Sequence, residues 1–441
     1  MNFTRKITLL ISLLGIFALN TKAQNSQLSV NPTLNELIDF ALKNKISLQQ
    51  TYLDERIGEE EIASSLSGWL PQINANAGYN YYMQIPSNVL GGEVIKMGQK
   101  HSSSVSFQAD QAIIDPALFL ASKSSDLYRQ SYKQLIENEK INTVVQVSKA
   151  YFDILTTEEQ IKIVKENIAR LSKQLNDAQA RYNTGLVDKT DFKRAQISLN
   201  NANADLKKIN EQKVYKYDYL KFLINTDPNI EIDLSPNDTE DLENEIHLDT
   251  TQSLHTESRI EYQQILTQKE LQKASTQYAK WNFLPRLSAF ANYQMDFRNN
   301  TFSKVYSRNF PSSLLGLSLS FPIFQGGKRV HEIRKSRLQE ERLDWDMRAL
   351  ENDIQTEYSA ALTNYKSSIV DWKNARENVD LSEEVYNTIK LQYDEGIKTY
   401  LDLMTAETDL RTSQINYLNA LYAILASKID VQKSLGNITF D

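Results

Sequence analysis

Residues 71–83 read PQINANAGYNYYM. Ile73, Ala75, Ala77, Tyr79, Tyr81 and Met83 alternate with Gln72, Asn74, Asn76, Gly78 and Asn80. A period of two sends successive side chains to opposite faces of a strand. One face is therefore apolar and aromatic, and the other is rich in amides. A soluble sandwich would bury the apolar face as a core; a barrel in lipid would turn it outward.

The alternation recurs three times. Ser103, Val105, Phe107 and Ala109 alternate with Ser102, Ser104, Ser106, Gln108 and Asp110. Leu287, Ala289, Ala291, Tyr293, Met295 and Phe297 alternate with polar neighbours, with Phe290 out of pattern. Leu315, Leu317, Leu319 and Phe321 alternate with Gly316, Ser318 and Ser320. About 10 residues with aromatics near the ends is the length and marking of an outer-membrane barrel strand. The helices flanking each strand pair are too polar to cover a sheet, which counts against the sandwich. Four strands cannot close a barrel, and an open edge in lipid leaves backbone groups unpaired at several kcal/mol each. Copies must share one barrel: two would give eight strands and three would give twelve. Segments 84–100 and 298–312 are expected as the outward hairpin ends. Pro71, Pro116, Pro285 and the run Pro322–Gly327 mark strand–helix junctions.

The chain has 441 residues, 41% hydrophobic and 24% charged, which is not the composition of a disordered chain. Arg5 and Lys6, the apolar run Ile7–Leu19 and the small residues near Ala23 form a secretory signal peptide. A mature chain starting at Gln24 loses Arg5, Lys6 and Lys22, taking the formal charge from -7 to -10. With no cysteine there is no disulfide, no thiol nucleophile and no lipid acceptor. No other stretch approaches the 18 or so apolar residues of a membrane helix.

The sequence is also written twice. Tyr182, Gly185, Asp191, Ala195 and Leu199 recur as Tyr393, Gly396, Asp402, Ala406 and Leu410, an offset of 211 from Tyr182 to Tyr393. Leu70-Pro71 after Trp69 recurs as Leu284-Pro285 after Trp281. Each half is expected to run helix (about 33–67, about 253–280), two strands, a very long helix, a glycine turn and a second long helix. Residues 1–23 are then the leader and 24–225 the first repeat. Residues 226–252 form the connecting, equatorial segment, 253–436 the second repeat, and 437–441 a tail. Ile161, Val164, Ile168, Leu171, Leu175, Ala178 and Tyr182 step alternately by 3 and 4, as do Trp372, Ala375, Val379, Ser382, Tyr386, Ile389 and Tyr393. That is the period of a coiled-coil seam, and locally it fits an ordinary helical hairpin equally well. A helix from about Leu118 to Tyr182 would run on the order of 100 Å, with a polar surface beyond its seam, and suits the wall of a tube.

These residues resemble the TolC-like outer-membrane efflux proteins over essentially the whole mature chain. The marks are LNELIDFALKNK, GWLPQINANAGY, WNFLPRLSAFANY, FPIFQGGKR and the turns RYNTGLVDKTD and QYDEGIKTYLD. The resemblance implies a trimer with a shared 12-stranded antiparallel transmembrane β-barrel, continued by a 12-helix coiled α-barrel across the periplasm. It implies a passive exit duct of a tripartite efflux or type I secretion system in the Gram-negative outer membrane. A periplasmic adaptor and an inner-membrane pump of RND, ABC or MFS type would be its partners. It implies a periplasmic gate in which Tyr393 and Lys398 face Thr190 and Asp191. Lys398 stands where an arginine is usual, so a forked contact is lost. Asp402 matches a residue whose copies ring the mouth. The turns Arg181–Leu186 and Gln392–Ile397, with Tyr182, Gly185, Tyr393 and Gly396, match the tips that meet the adaptor. Helix N-capping is the other reading of Asp191 and Asp402, and Gly185 and Gly396 read most simply as C-cap glycines.

Other classes fare worse. His101, His247, His255 and His331 have no ligand spacing, and no nucleophile elbow, phosphate loop or zinc motif is present. No enzyme, cofactor or metal site is expected. The basic run Lys328–Lys335 reads as a solvated helix start, with no nucleic-acid partner. A periplasmic coiled-coil scaffold would share the helices but needs no strands in lipid. The cargo is not written in the sequence.

Overall fold

The computed structural model describes residues 28–185, 188–234 and 239–440. The expected signal peptide, residues 1–23, and Leu186 lie outside them. Two short helices come first, α1 (Leu34–Asn44) and α2 (Ile46–Leu66). The sequence reading had one helix here. The chain breaks at Lys45, which leaves helical geometry at ψ 129°. Its ammonium is held by α3 instead, 3.2 Å from Thr143 and Glu139 and 3.0 Å from Gln146.

Strand β1 (Gln72–Tyr81) pairs with β4 (His101–Ile114). Between them lies a small hairpin, β2 (Ser87–Leu90) and β3 (Glu93–Lys96), turned by Gly91 and Gly92 at φ 61° and 93°. Helix α3 (Pro116–Asn183) follows, then α4 (Lys189–Ile224) and the short α5 (Thr239–Asn244). The second half runs α6 (Ile260–Trp281), β5 (Arg286–Asn299), β6 (Asn309–Ser320), α7 (Lys328–Asp394) and α8 (Tyr400–Leu435). Asp115 caps α3, accepting from the Ala117 amide at 2.8 Å, and Pro116 opens the helix where no amide is needed. The 68 residues of α3 span about 100 Å. No helix among the described residues is long and apolar enough to cross a membrane.

The four long strands form one antiparallel sheet in the order β1-β4-β5-β6. Its register aligns the apolar positions across strands. Ala75 faces Phe107, which faces Tyr293; Ala109 faces Ala291, which faces Leu315. The amide face aligns likewise: Asn74, Gln108 and Asn292 make one row, and Asn76, Ser106, Gln294 and Ser312 another. The aligned faces extend the alternation of residues 71–83 across β4 and β5 and into β6, where Leu314 opposite Asn292 and Phe310 opposite Asp296 fall on the polar side. Phe290, out of pattern on the polar face, rests on Gly316 opposite. Among the described residues both edge strands lack a partner on their outer side, and the apolar face is open, with Leu315 81% exposed.

The main core sits where the four long helices pass one another. Val147, Phe152 and Ile154 of α3 meet Leu220 and Ile224 of α4, Ala361 and Tyr365 of α7, and Leu421 and Ile424 of α8. The acidic connection is part of this core, through Ile232, Leu234, Leu242 and Ile246. Tyr365 donates to the Ile246 carbonyl at 2.7 Å. At the sheet end Trp69, Phe119 and Trp281 pack in a chain, one pair tilted and the other edge-on, with centroids 5.6 and 5.8 Å apart. The two tryptophans of the repeated motif thus meet through one phenylalanine.

Candidate functional site: the hairpin tips

Away from the sheet the helices pair as two hairpins, α3 with α4 and α7 with α8. Of the expected seams, Ile161, Val164, Leu171 and Ala178 are buried on α3 and Tyr386 on α7, whose other seam residues are partly covered; Ala195 and Ala202 of α4 and Leu403, Ala406 and Leu410 of α8 are buried as well. Gly185 and Gly396 take left-handed geometry at φ 75° and 78°, where a side chain would be strained. At the second tip Gly396 donates to the Tyr393 carbonyl at 3.0 Å and Ile397 to Gln392 at 2.8 Å. This pair of bonds is a Schellman closure.

The two tips are capped differently. Asp188 accepts from the Thr190 amide at 3.2 Å, so Asp188, not Asp191, caps α4. Thr399 caps α8, and Asp402 completes a capping box. Asp402 accepts from the Thr399 amide at 2.9 Å and hydroxyl at 2.7 Å, both at Oδ2. Those bonds from Thr399 hold its carboxyl below the usual range, with Lys398 adding to the effect. Asp402 is partly buried, and its Oδ1 makes no hydrogen bond among the described residues.

Of the expected gate residues, the structure brings Tyr393 to the first hairpin. Arg181 lies over its ring, 5.1 Å from the centroid, and Tyr400 packs against it edge-on at 6.1 Å. Burial pushes the Tyr393 phenol up, Arg181 opposes, and Asp191 adds to the rise. Lys398 is not brought to Thr190 or Asp191: among the described residues no ion pair or side-chain hydrogen bond joins them. A lysine's single ammonium on a flexible stem lacks the reach and fork of a guanidinium, and within one chain it sits beside Asp402. Tyr182 stacks on Phe192 of its own hairpin at 6.2 Å. Arg181 and Gln392 are partly covered, whereas Ile397 is 72% exposed at the tip.

A second cluster, not anticipated from the sequence, lies up the helices from the tips. Glu407 of α8 is 3% exposed. It accepts from Arg170 Nε at 3.2 Å and Gln174 Nε2 at 2.7 Å, both on α3. Burial pushes its carboxyl above the ordinary range, against the pull of Gln174 and Arg170. A signal existed: Glu407 falls four residues after Leu403 and three before Leu410, on the apolar stripe of α8.

Comparison with known proteins matches this architecture. The outer membrane efflux protein family profile matches residues 37–226 and 259–437. The outer membrane protein TolC of Vibrio cholerae serotype O1 is 21% identical over 412 residues, 92% of this chain and 91% of that one. The outer membrane protein OprJ of Pseudomonas aeruginosa is 22% identical over 417 residues, 92% of this chain and 84% of that one. The crystal structure of the Vibrio cholerae outer membrane protein VceC superposes with a TM-score of 0.74 at 15% identity, covering 91% of this chain and 96% of that one. The fold is accordingly that of a TolC-like outer-membrane channel. The two matched segments cover most of both halves, and the chain belongs to the outer membrane efflux protein family, whose members are channels of the Gram-negative outer membrane that extend into the periplasm.

Proposed function

We propose that three copies of this chain assemble one passive duct, with a shared twelve-stranded barrel in lipid and twelve helices across the periplasm. Residues 24–225 and 253–436 act as its two structural repeats, joined by 226–252. The observation that carries this is the four-stranded sheet, apolar and uncovered on one face, unpaired at both edges, and continued by helices of about 100 Å. In hydrocarbon such edges must find strands, and β6 of one copy beside β1 of the next supplies them. No nucleotide-binding motif is present, so the work of export comes from an inner-membrane pump joined by a periplasmic adaptor. The adaptor meets the tips around Arg181, Tyr182, Gly185 and Leu186 and around Gln392, Tyr393, Gly396 and Ile397.

The closed state holds Tyr393 against the first hairpin under Arg181. Opening is a rigid movement of the α7–α8 hairpin away from α3–α4. Asp402 copies present one carboxylate ring at the mouth, their free Oδ1 atoms toward the lumen, with Lys398, Thr190 and Asp191 between neighbouring hairpins. Planar-bilayer recordings test this. Replacing Tyr393 and Lys398 together is expected to raise conductance, and Asp402→Ala to weaken block by multivalent cations. Unaltered conductance and unaltered block would refute the gate and the ring respectively.

A further inference from the structure

The geometry points to Glu407 as a positioning residue of the gate: an internal bolt that ties the two hairpins of one subunit together, separate from the contacts at the tips. The inference rests on the duct proposed above. Three polar ties join α3 to α8 in antiparallel order. Lys149 meets Asp430 at 2.6 Å, Gln160 meets Asn419 at 3.0 Å, and Arg170 with Gln174 meets Glu407 at 3.2 and 2.7 Å. Lys149 and Asp430 lie beside the main core, and Glu407 lies nearest the tips. It is seven residues into α8, about 10 Å along the helix from its start.

Only the Glu407 tie is buried among polar atoms that pack imperfectly. It borders a cavity of about 230 Å³ with Asn167, Ser198, Asn201, Thr408 and Arg411. Asn167 is 3% exposed and its Oδ1 has no partner among the described residues; nor do Arg170 Nη2, Gln174 Oε1 and Tyr400 OH. Four such atoms around one carboxylate make a cluster that a static wall would replace with apolar packing, since unsatisfied buried polar groups cost stability. A joint that must part needs the opposite. Its groups are held when closed and can be hydrated when the helices separate, whereas an apolar seam would resist exposure. The neighbouring charges fit that arrangement. Arg411 of α8 pairs with Asp205 of α4 at 3.0 Å, and Arg170 also lies 5.9 Å over the Tyr386 ring of α7. All four helices therefore converge on the bolt.

The chain has no cysteine, so a pair can be introduced cleanly. Gln174→Cys with Glu407→Cys removes the tie, and a short bis-thiol-reactive linker restores it covalently. In planar bilayers the unlinked pair is expected to raise open probability about tenfold, the scale of losing charged hydrogen bonds, and linking is expected to return it to the parent value. A merely structural role would not reverse on linking. Glu407→Gln, nearly the same shape, serves if the pair assembles poorly and is expected to open the channel by a smaller factor. Parent-like conductance in the unlinked pair or in Glu407→Gln, while the Tyr393/Lys398 variant opens, overturns the bolt and leaves the duct standing. Silence of the Tyr393/Lys398 variant as well removes the gate and the bolt with it.

Discussion

Phe290 and Gly316 show at residue scale how one aromatic enters the amide face. A Cβ on Gly316 would stand 2.7 Å from Phe290 Cζ. Gly316→Val is expected to cost about 1–3 kcal/mol by overpacking, read as a lower melting temperature of the detergent-purified protein, and Phe290→Leu in the same chain should recover most of it. Asp402 makes a different prediction. Its folded-state pKa is depressed by Thr399, so the stability it adds is present above the ordinary aspartate value, about 4. That stability is lost as pH falls through the depressed value. Limited proteolysis of the second tip should therefore accelerate in acid, and Asp402→Asn should be fast-cleaved at neutral pH with little further change. Single residues were only partly legible in the sequence. The glycines at 185 and 396 announced their turns because only φ above zero fits there. Asp188 and Thr399 went unread as caps because the conspicuous carboxylates stand three positions later. Glu407 went unread because charge on a helix is usually solvated.

At the scale of elements, periodicity carried most of the fold. Strand alternation and the 3–4 seams depend on local geometry alone, so β1, β4, β5, β6 and the four long helices could be placed before any contact was known. The break at Lys45 could not: no glycine or proline marks it, and its cause lies on α3, about a hundred positions away. The β2–β3 hairpin could have been found, since Gly91-Gly92 between SNVL and EVIK is a two-residue turn signal. The apolar residues of the connecting segment follow no period, so nothing in their spacing announces that they plug the main core. One substitution weighs that plug and a second weighs a separate joint. Tyr365→Phe leaves the buried Ile246 carbonyl without its donor and should lower stability by about 1–2 kcal/mol. Arg259, 3% exposed, bonds Glu261, Glu357 and the Ser434 carbonyl, fastening the start of α6 to the last turn of α8. Arg259→Met should cost about 3 kcal/mol. Chemical denaturation monitored by circular dichroism checks both.

At the scale of the molecule, the strand count left two copies and three equally open, because the sequence fixes how many strands each chain brings but not how sharply the sheet curves. Amine cross-linking of the detergent-extracted protein is expected to end at a three-chain band, with two-chain bands only as intermediates; a ladder ending at two would replace the trimer with an eight-stranded barrel. The unpaired outer sides of β1 and β6 also bear on biogenesis. Under the shared-barrel arrangement no copy can enter the bilayer to stay unless its siblings arrive with it, so insertion and assembly are one event. Heredity then follows from hydrogen bonding: a defective allele that damages either strand should behave dominantly, spoiling the intact chains with which it is recruited.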